Sequence, residues 1–279
     1  MLAKRAMTDS AARRLPEHSP YAQAARRDHE EYGQKIIQAQ QLHEQLPAAS
    51  QRPWSWGLRS GHRVLARDVE RTVGFLDDTD DAIIAAADLL QRSGRWREAW
   101  ERELDPLRDS VAALDSVLED RAEMTTQEER AATDLVRLGD GISTELDELT
   151  TQLQQDRIDV DSALERLDAL TGELSAAVSR LQQLHIARLA EDGDEEEVLR
   201  EAAGDVVDEE YLSLRARRHR MEHLGAGSTF WHLSPVLWYS SWHHTSSSAL
   251  EAHRSPSASG STAGYSGGGF SGAGSSSRF

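Results

Sequence analysis

No cysteine occurs in the 279 residues, which excludes disulfides, thiolate zinc sites and thiol nucleophiles. Lysine is nearly absent as well, since Lys4 and Lys35 are the only two and arginine carries the other basic charges. Against 31 Lys and Arg stand 48 Asp and Glu, a net charge of −17. A chain of that sign is unsuited to nucleic acid, because neutralising phosphates takes clustered cations. Long apolar runs are missing too. No stretch approaches the ~18 apolar residues that cross a bilayer, and the opening "MLAKRAMTDSAARRLPEHSP" holds no apolar core of signal-peptide length. As written, the sequence reads as soluble and cytoplasmic. Aromatics are 6% of the chain, yet three of its seven Trp fall between Trp231 and Trp242. With 38% hydrophobic and 28% charged residues, the composition suits apolar helix seams better than a large α/β interior.

What is present is helical periodicity. Residues 1–19 read as disordered, polar and broken by Pro16. "YAQAARRDHEEYGQKIIQAQQLHEQLP" reads as a helix ending before Pro47, and "PAASQRPWSWGLRSG" as a loop. From His62 to Arg92, Val69, Val73, Leu76, Ile83, Ala87 and Leu90 mark one helix face, with "DDTDD" (Asp77–Asp81) as a break or bend. Trp96, Trp100, Leu104, Leu107, Val111, Leu114 and Leu118 step by three or four, a seam for a partner helix. Pro106 inside it predicts a helix start near Asp105 or a kink. Thr125 or Thr126, followed three residues later by Glu128 or Glu129, matches a capping box.

From there a helical pattern runs to Ala190. Strict heptads place Leu146, Leu149, Leu153, Asp156, Val160, Ala163, Leu167, Leu170, Leu174, Ala177, Leu181 and Leu184 on one seam. "LDELTTQL" (146–153) recurs three heptads later as "LDALTGEL" (167–174), so matched residues keep their face. Upstream, Leu135, Leu138 and Ile142 are out of phase by one, and "GDG" (Gly139–Gly141) makes that place soft. Asp156 interrupts the seam and Ser162 with Glu165 matches another capping box, so one long helix and a hairpin both remain open. A last helix is expected over "EEEVLREAAGDVVDEEYLSLRARRHRMEHL", its acidic start and basic end suiting the macrodipole. The basic "RARRHR" is expected to answer the acidic run "EDGDEEE". After His244 the chain turns to Ser and Gly, the composition of a flexible tail.

Several motifs suggest chemistry. Gly264, Ser266 and Gly268 satisfy G-x-S-x-G, but a nucleophile elbow needs a strand before and a helix after, and no His follows His253 to complete a triad. The motif is accidental. "HRMEH" matches H-x-x-E-H, which on a helix would let His219 and His223 share a metal, with Glu222 as base. Arg217, Arg218 and Arg220 would repel that dication, and no α/β frame surrounds it, so a solvated helix end is the better reading. An EF-hand loop counted from Asp77 puts Ala82 and Asp88 where Gly and Glu are required, and one from Asp192 puts Glu197 and Ala203 there. Both acidic runs read as solvated surface. The aromatic stretch Phe230, Trp231, Leu233, Val236, Leu237, Trp238, Tyr239 and Trp242 has two readings. It folds onto the helices, or Phe230, Trp231, Trp238, Tyr239 and Trp242 dock on a membrane or partner.

"YSGGGFSGAGSSSRF", closing on Arg-Phe, resembles the terminus of an uncharacterised actinobacterial family in which a helical, coiled-coil-like region precedes a Gly/Ser tail. "RWREAWERELDPLRDSV" and "LSPVLWYSSWHH" are also similar to that family, and the resemblance covers residues 55–279. It implies no activity and no functional residues. Members often carry hydrophobic export or membrane segments near the N-terminus, from which this sequence departs. Membrane association or export would follow if an upstream segment belonged to the chain.

The sequence therefore predicts an all-α fold, an elongated antiparallel helical bundle or coiled coil. Residues 20–224 form the helical region and 225–244 the aromatic segment, between a disordered N-terminus (1–19) and a Gly/Ser tail (245–279). It points to a non-enzymatic interaction or scaffold protein without cofactor, small-molecule substrate or nucleic acid. Its partners are other proteins or itself, met through helices whose seams Trp96–Leu118 and Leu146–Leu184 pack internally and serve self-association. A membrane-peripheral component is the alternative, and a zinc hydrolase at His219, Glu222 and His223 the third reading.

Overall fold

The computed structural model describes residues 2–50, 79–118, 124–202, Leu214, Arg215, Arg218 and 234–255. Helices α1 (Leu2–Arg14), α2 (Pro20–Ser50), α3 (79–90), α4 (Trp96–Ala112) and α5 (Leu114–Val117) come first. They are followed by α6 (Thr126–Gln154), α7 (Val160–Leu189), α8 (Gly193–Glu201) and α9 (Pro235–Arg254). No strand occurs among the described residues, so the fold is an all-α bundle.

Its spine is the hairpin of α6 and α7. Thr125 caps α6: its Oγ1 accepts from the Glu128 N–H at 3.3 Å while the Thr125 N–H donates to Glu128 Oε2 at 2.7 Å. This reciprocal pair satisfies two otherwise orphaned donors. The helix ends in a Schellman pattern, with Arg157 N–H on Gln152 O at 2.9 Å and Asp156 N–H on Leu153 O at 3.3 Å. Asp156 fills the left-handed position, φ 56°, usually taken by Gly. Asp159 then caps α7 through the Ser162 N–H, which displaces the Ser162–Glu165 box expected from sequence. The ladder of leucines is thus two helices folded on each other, tied across by Arg166 with Glu145 and Arg188 with Glu128. Helix α4 runs antiparallel to α6, Trp100 Nε1 donating to Thr150 Oγ1 at 3.0 Å near one end and Leu114 meeting Gly139 further along.

Three sequence expectations give way inside this spine. Helix α6 runs unbroken through "GDG". Gly139 is there because a Cβ would stand 2.4 Å from Leu114 Cδ1, whereas one at Gly141 would meet nothing within 4 Å. Helix α4 continues through Pro106, which is buried, so it does not start near Asp105. Strict heptads also fail late in α7, where Val178 and His185 are buried and Ala177 and Leu184 only partly. A straight helix at 3.6 residues per turn drifts ~20° per heptad, enough to hand the seam to the next residue.

Two segments whose composition suggests disorder are helical among the described residues. The segment 1–19 was expected to be disordered, yet Leu2–Arg14 is helical. It is held from outside: Thr8 donates to Asp80 at 2.5 Å, Lys4 pairs with Asp81 at 3.2 Å, and Ala11 and Leu15 are buried. Asp80 is therefore interior, not solvated surface. Helix α2 passes Pro47, its expected limit, and reaches Ser50. Helix α9 extends to Arg254, beyond the expected start of the tail at 245. Pro235 in its first turn presets φ, Thr245, Ser246 and Ser247 return hydroxyl bonds to carbonyls within the helix, and Leu250 is buried. Of the predicted final helix, α8 covers the first part, and most of 203–224 lies outside the described residues.

Candidate functional site

The most heavily charged interior point is Arg215, fully buried where α4, α7 and the start of α2 meet. Its Nε donates to Asp168 Oδ1 at 2.6 Å, one terminal nitrogen to Leu167 O at 3.2 Å and to Thr171 Oγ1, and the other to Glu103 O at 3.3 Å. Glu103 accepts the backbone N–H groups of Leu214, at 2.6 Å, and Arg215, at 3.2 Å. Tyr21 donates to the second Asp168 oxygen at 2.7 Å, and Arg218 lies 4.9 Å from the Tyr21 ring centroid. Burial pushes the Glu103 carboxyl up to about 7, against the pull of the Leu214 N–H and of Arg215. Burial and then the Asp168 charge raise the Tyr21 phenol further. A shifted carboxyl beside a cation is the signature of many catalytic sites. Here every group spends its hydrogen bonds on the protein, and the space beside Glu103 and Leu214 is about 10 Å³, room for one water at most. Among the described residues the network joins helices.

A second network closes the open end of the hairpin. Arg188 Nε donates to Glu128 Oε1 at 2.9 Å, and the buried His185 ring lies 3.7 Å from the same oxygen. The His185 ring stands edge-on to Trp242 at 5.7 Å and to His243 at 4.7 Å. Burial, then the charges of His243 and Arg188, depress His185 to about 4, so it is neutral at pH 7. Burial opposes ionisation of Glu128, but hydrogen bonds from Thr125 and Arg188 hold it below the usual carboxylate range. Trp242, fully buried, donates to Leu199 O at 2.8 Å and so fastens α9 to α8. Arg254 completes the clasp on Glu195 at 2.6 Å.

This pairing corrects one expectation. Among the described residues the run "EDGDEEE" is answered by Arg254 and Arg200, and Arg215 and Arg218 turn to Asp168, while Arg217 and Arg220 lie outside the described residues. Glu195 is also buried, so that run is not wholly solvated surface. The seam residues are mostly interior, packed inside the molecule. Trp96, Trp100, Leu104, Leu107, Leu114 and Leu118 are buried, as are Leu146, Leu149, Leu153, Leu167, Leu170, Leu174 and Leu181. Val111 packs against them, and Leu184 is half-exposed. Of the docking aromatics, Tyr239 and Trp242 are buried and Trp238 is packed on the core. That takes the first two away from any membrane surface. Phe230, Trp231, His219, Glu222, His223 and Ser266 lie outside the described residues. Among the described residues, no helix is long and apolar enough to cross a membrane, and no three metal-type side chains converge.

The family model for a domain of unknown function, DUF5129, matches residues 3–167. The chain belongs to DUF5129. The match reaches from α1 into the first third of α7, so the DUF5129 region contains Tyr21, Glu103 and Glu128 but not Asp168, Arg215 or α9. Of the segments that carried the resemblance, Arg95–Val111 falls inside it, and the aromatic segment and tail fall outside. No curated protein and no solved structure matches the chain.

What the sequence did not foretell is the surface left over. Ile37 on α2 is 57% exposed and Met7 on α1 is 60% exposed, the large apolar side chains most open to solvent among the described residues. Between α6 and α7 an open groove is floored by Leu138, Ile142 and Leu170 and rimmed by Asp134, Glu145 and Glu173. The floor is mostly buried and the rim charges are paired with Arg137 or Arg166, so little apolar surface is on offer there.

Proposed function

We propose that this DUF5129 protein is a non-enzymatic helical interaction module, a bundle that holds the distal half of α2 out toward a protein partner. One observation carries the reading. The leucine and tryptophan seams are spent inside the molecule, while Ile37 remains 57% exposed on a helix of 31 residues. A single exposed apolar side chain is common on protein surfaces; Ile37 marks the contact here because, Met7 apart, the other large apolar side chains among the described residues are at least partly covered. The absence of catalysis in this reading rests on the two polar networks. Glu103 and His185 have strongly shifted proton affinities, yet each is enclosed by its own helices.

A photo-crosslinking residue in place of Gln41, an exposed position on the same helix, tests this in cells. The proposal expects light-dependent protein adducts that disappear when Ile37→Glu is added. Adducts that are absent, or indifferent to Ile37→Glu, would overturn it.

A further inference from the structure

Where α9 crosses the hairpin, it rests on a histidine poorly placed to carry charge. His185 is buried on α7, and groups from three helices face its ring. From α6, Glu128 Oε1 lies 3.7 Å from Nδ1. From α7, one terminal nitrogen of Arg188 lies 3.5 Å from Nδ1 and 3.4 Å from Nε2, so a cation sits beside both ring nitrogens. From α9, the His243 ring stands 4.7 Å away, with Trp242 packed edge-on. Among the described residues Glu128, Arg188 and His243 are the charged or titratable groups that act on His185. Of these, Glu128 alone favours a proton on the ring, and its two oxygens are already taken by Arg188 and Thr125. A protonated His185 would therefore stand against Arg188 and His243 with almost no water to screen it.

The helices around that ring differ in what holds them. Helices α6 and α7 share the leucine seam. Helix α9 is fastened by Trp242 on the Leu199 carbonyl, by Arg254 on Glu195, and by the buried Val236, Tyr239 and Leu250. Its middle, "HHTSSS" (243–248), is made of weak helix formers, and a helix of 20 residues with that composition does not hold in water without packing. We propose that α9 is an acid-released strap: a proton on His185 drives it off α7 and α8, melting it and uncovering Trp242 and Tyr239. The docked site holds His185 at about 4 against its ordinary 6.5. Docking is therefore at full strength above pH 6.5 and weakens as pH falls from 6.5 toward 4. Arg254 holds Glu195 down to about 2 from 4.5, so that clasp weakens only below pH 4.5 and leaves the range above it to His185. Glu103, the other interior group with a strongly shifted proton affinity, is bonded to Leu214 and Arg215 rather than to α9, and so has no part in this local release.

Amide hydrogen exchange of the full chain, followed from about pH 7 to 4.5 and referred to the intrinsic rate at each pH, reads the release. The proposal expects protection in α9 to fall roughly 50-fold across that range while protection in α6 holds. His185→Phe keeps a packed ring that cannot take the proton, and should leave α9 protection level with pH. His185→Leu should do the same, and serves if phenylalanine does not fit the site. Wild-type protection in α9 that stays level, or that falls in step with α6, would overturn the proposal. So would a His185→Phe or His185→Leu variant whose α9 still loosens in acid.

Discussion

Glu103 and His185 make opposite demands on pH, and the structure predicts that they cancel until one is removed. Burial raises Glu103 to about 7 from an unfolded value of 4.5. Folding therefore takes up a proton there, and this group favours the folded state as pH falls from about 7 toward 4.5. Burial lowers His185 to about 4 from 6.5, so folding releases a proton and this group disfavours the folded state as pH falls from 6.5 toward 4. Each shift is about 2.5 units at 1.36 kcal/mol per unit. Between pH 6.5 and 4.5 the two contributions come to about 2 kcal/mol each, with opposite signs. The wild type should then be nearly level in that window. Glu103→Gln should lose about 2 kcal/mol as pH falls across it, and His185→Phe should gain about as much. Glu103→Gln also carries a constant penalty of roughly 1–3 kcal/mol, because its amide presents a donor to the N–H of Leu214 or Arg215. Urea unfolding at four pH values separates that constant from the slope. Glu145, Glu195 and Asp159, all held low by hydrogen bonds, lose stability at lower pH in all three proteins alike and drop out of the comparison. Parallel pH profiles for the three proteins would refute the reasoning.

Gly139→Ala should destabilise by about 1–3 kcal/mol by forcing Leu114 aside, whereas Gly141→Ala, in open space, should stabilise by about 0.5–1 kcal/mol. Thermal melts of the two variants would show shifts of opposite sign. Trp242→Ala should cost about 3–5 kcal/mol, and Trp242→Phe roughly 1–3 kcal/mol for the unpaired Leu199 carbonyl. Denaturation midpoints unchanged in both would mean that α9 is not docked. Arg215→Met should cost about 3–5 kcal/mol by removing the buried donor to Asp168 Oδ1, to the Glu103 and Leu167 carbonyls and to Thr171, measured by the same unfolding curves.

The helices were legible where packing agrees with local pattern. The capping box at Thr125 was readable because its two residues act within one turn, and the leucine ladder because each of its residues but Asp156 up to Leu181 is apolar or small. The turn after Leu153 stayed open between a hairpin and one long helix, because a residue with a side chain occupies the left-handed position that glycine would have announced. The same disguise ends α3, where Arg92, φ 49°, takes that position and pairs with Asp156. Helix α1 was hidden because its support comes from Asp80, Asp81 and His29, far away in sequence. Helix α9 was hidden because its serines bond to their own backbone, so a tail-like composition folds. The Arg215 network could not be foreseen at all. Glu103, Asp168 and Arg215 look like surface charges on three amphipathic stretches, and only the packing shows that they meet.

The central claim is that the leucine ladder folds back on itself at 155–159. Spin labels at Glu129 and Ala187, both exposed, test it directly in a chain with no native cysteine. The hairpin predicts a distance below roughly 30 Å, from the 8–10 Å spacing of packed helices plus the reach of the labels. A continuous helix would place them about 87 Å apart at 1.5 Å per residue, and a separation near that value would contradict the account.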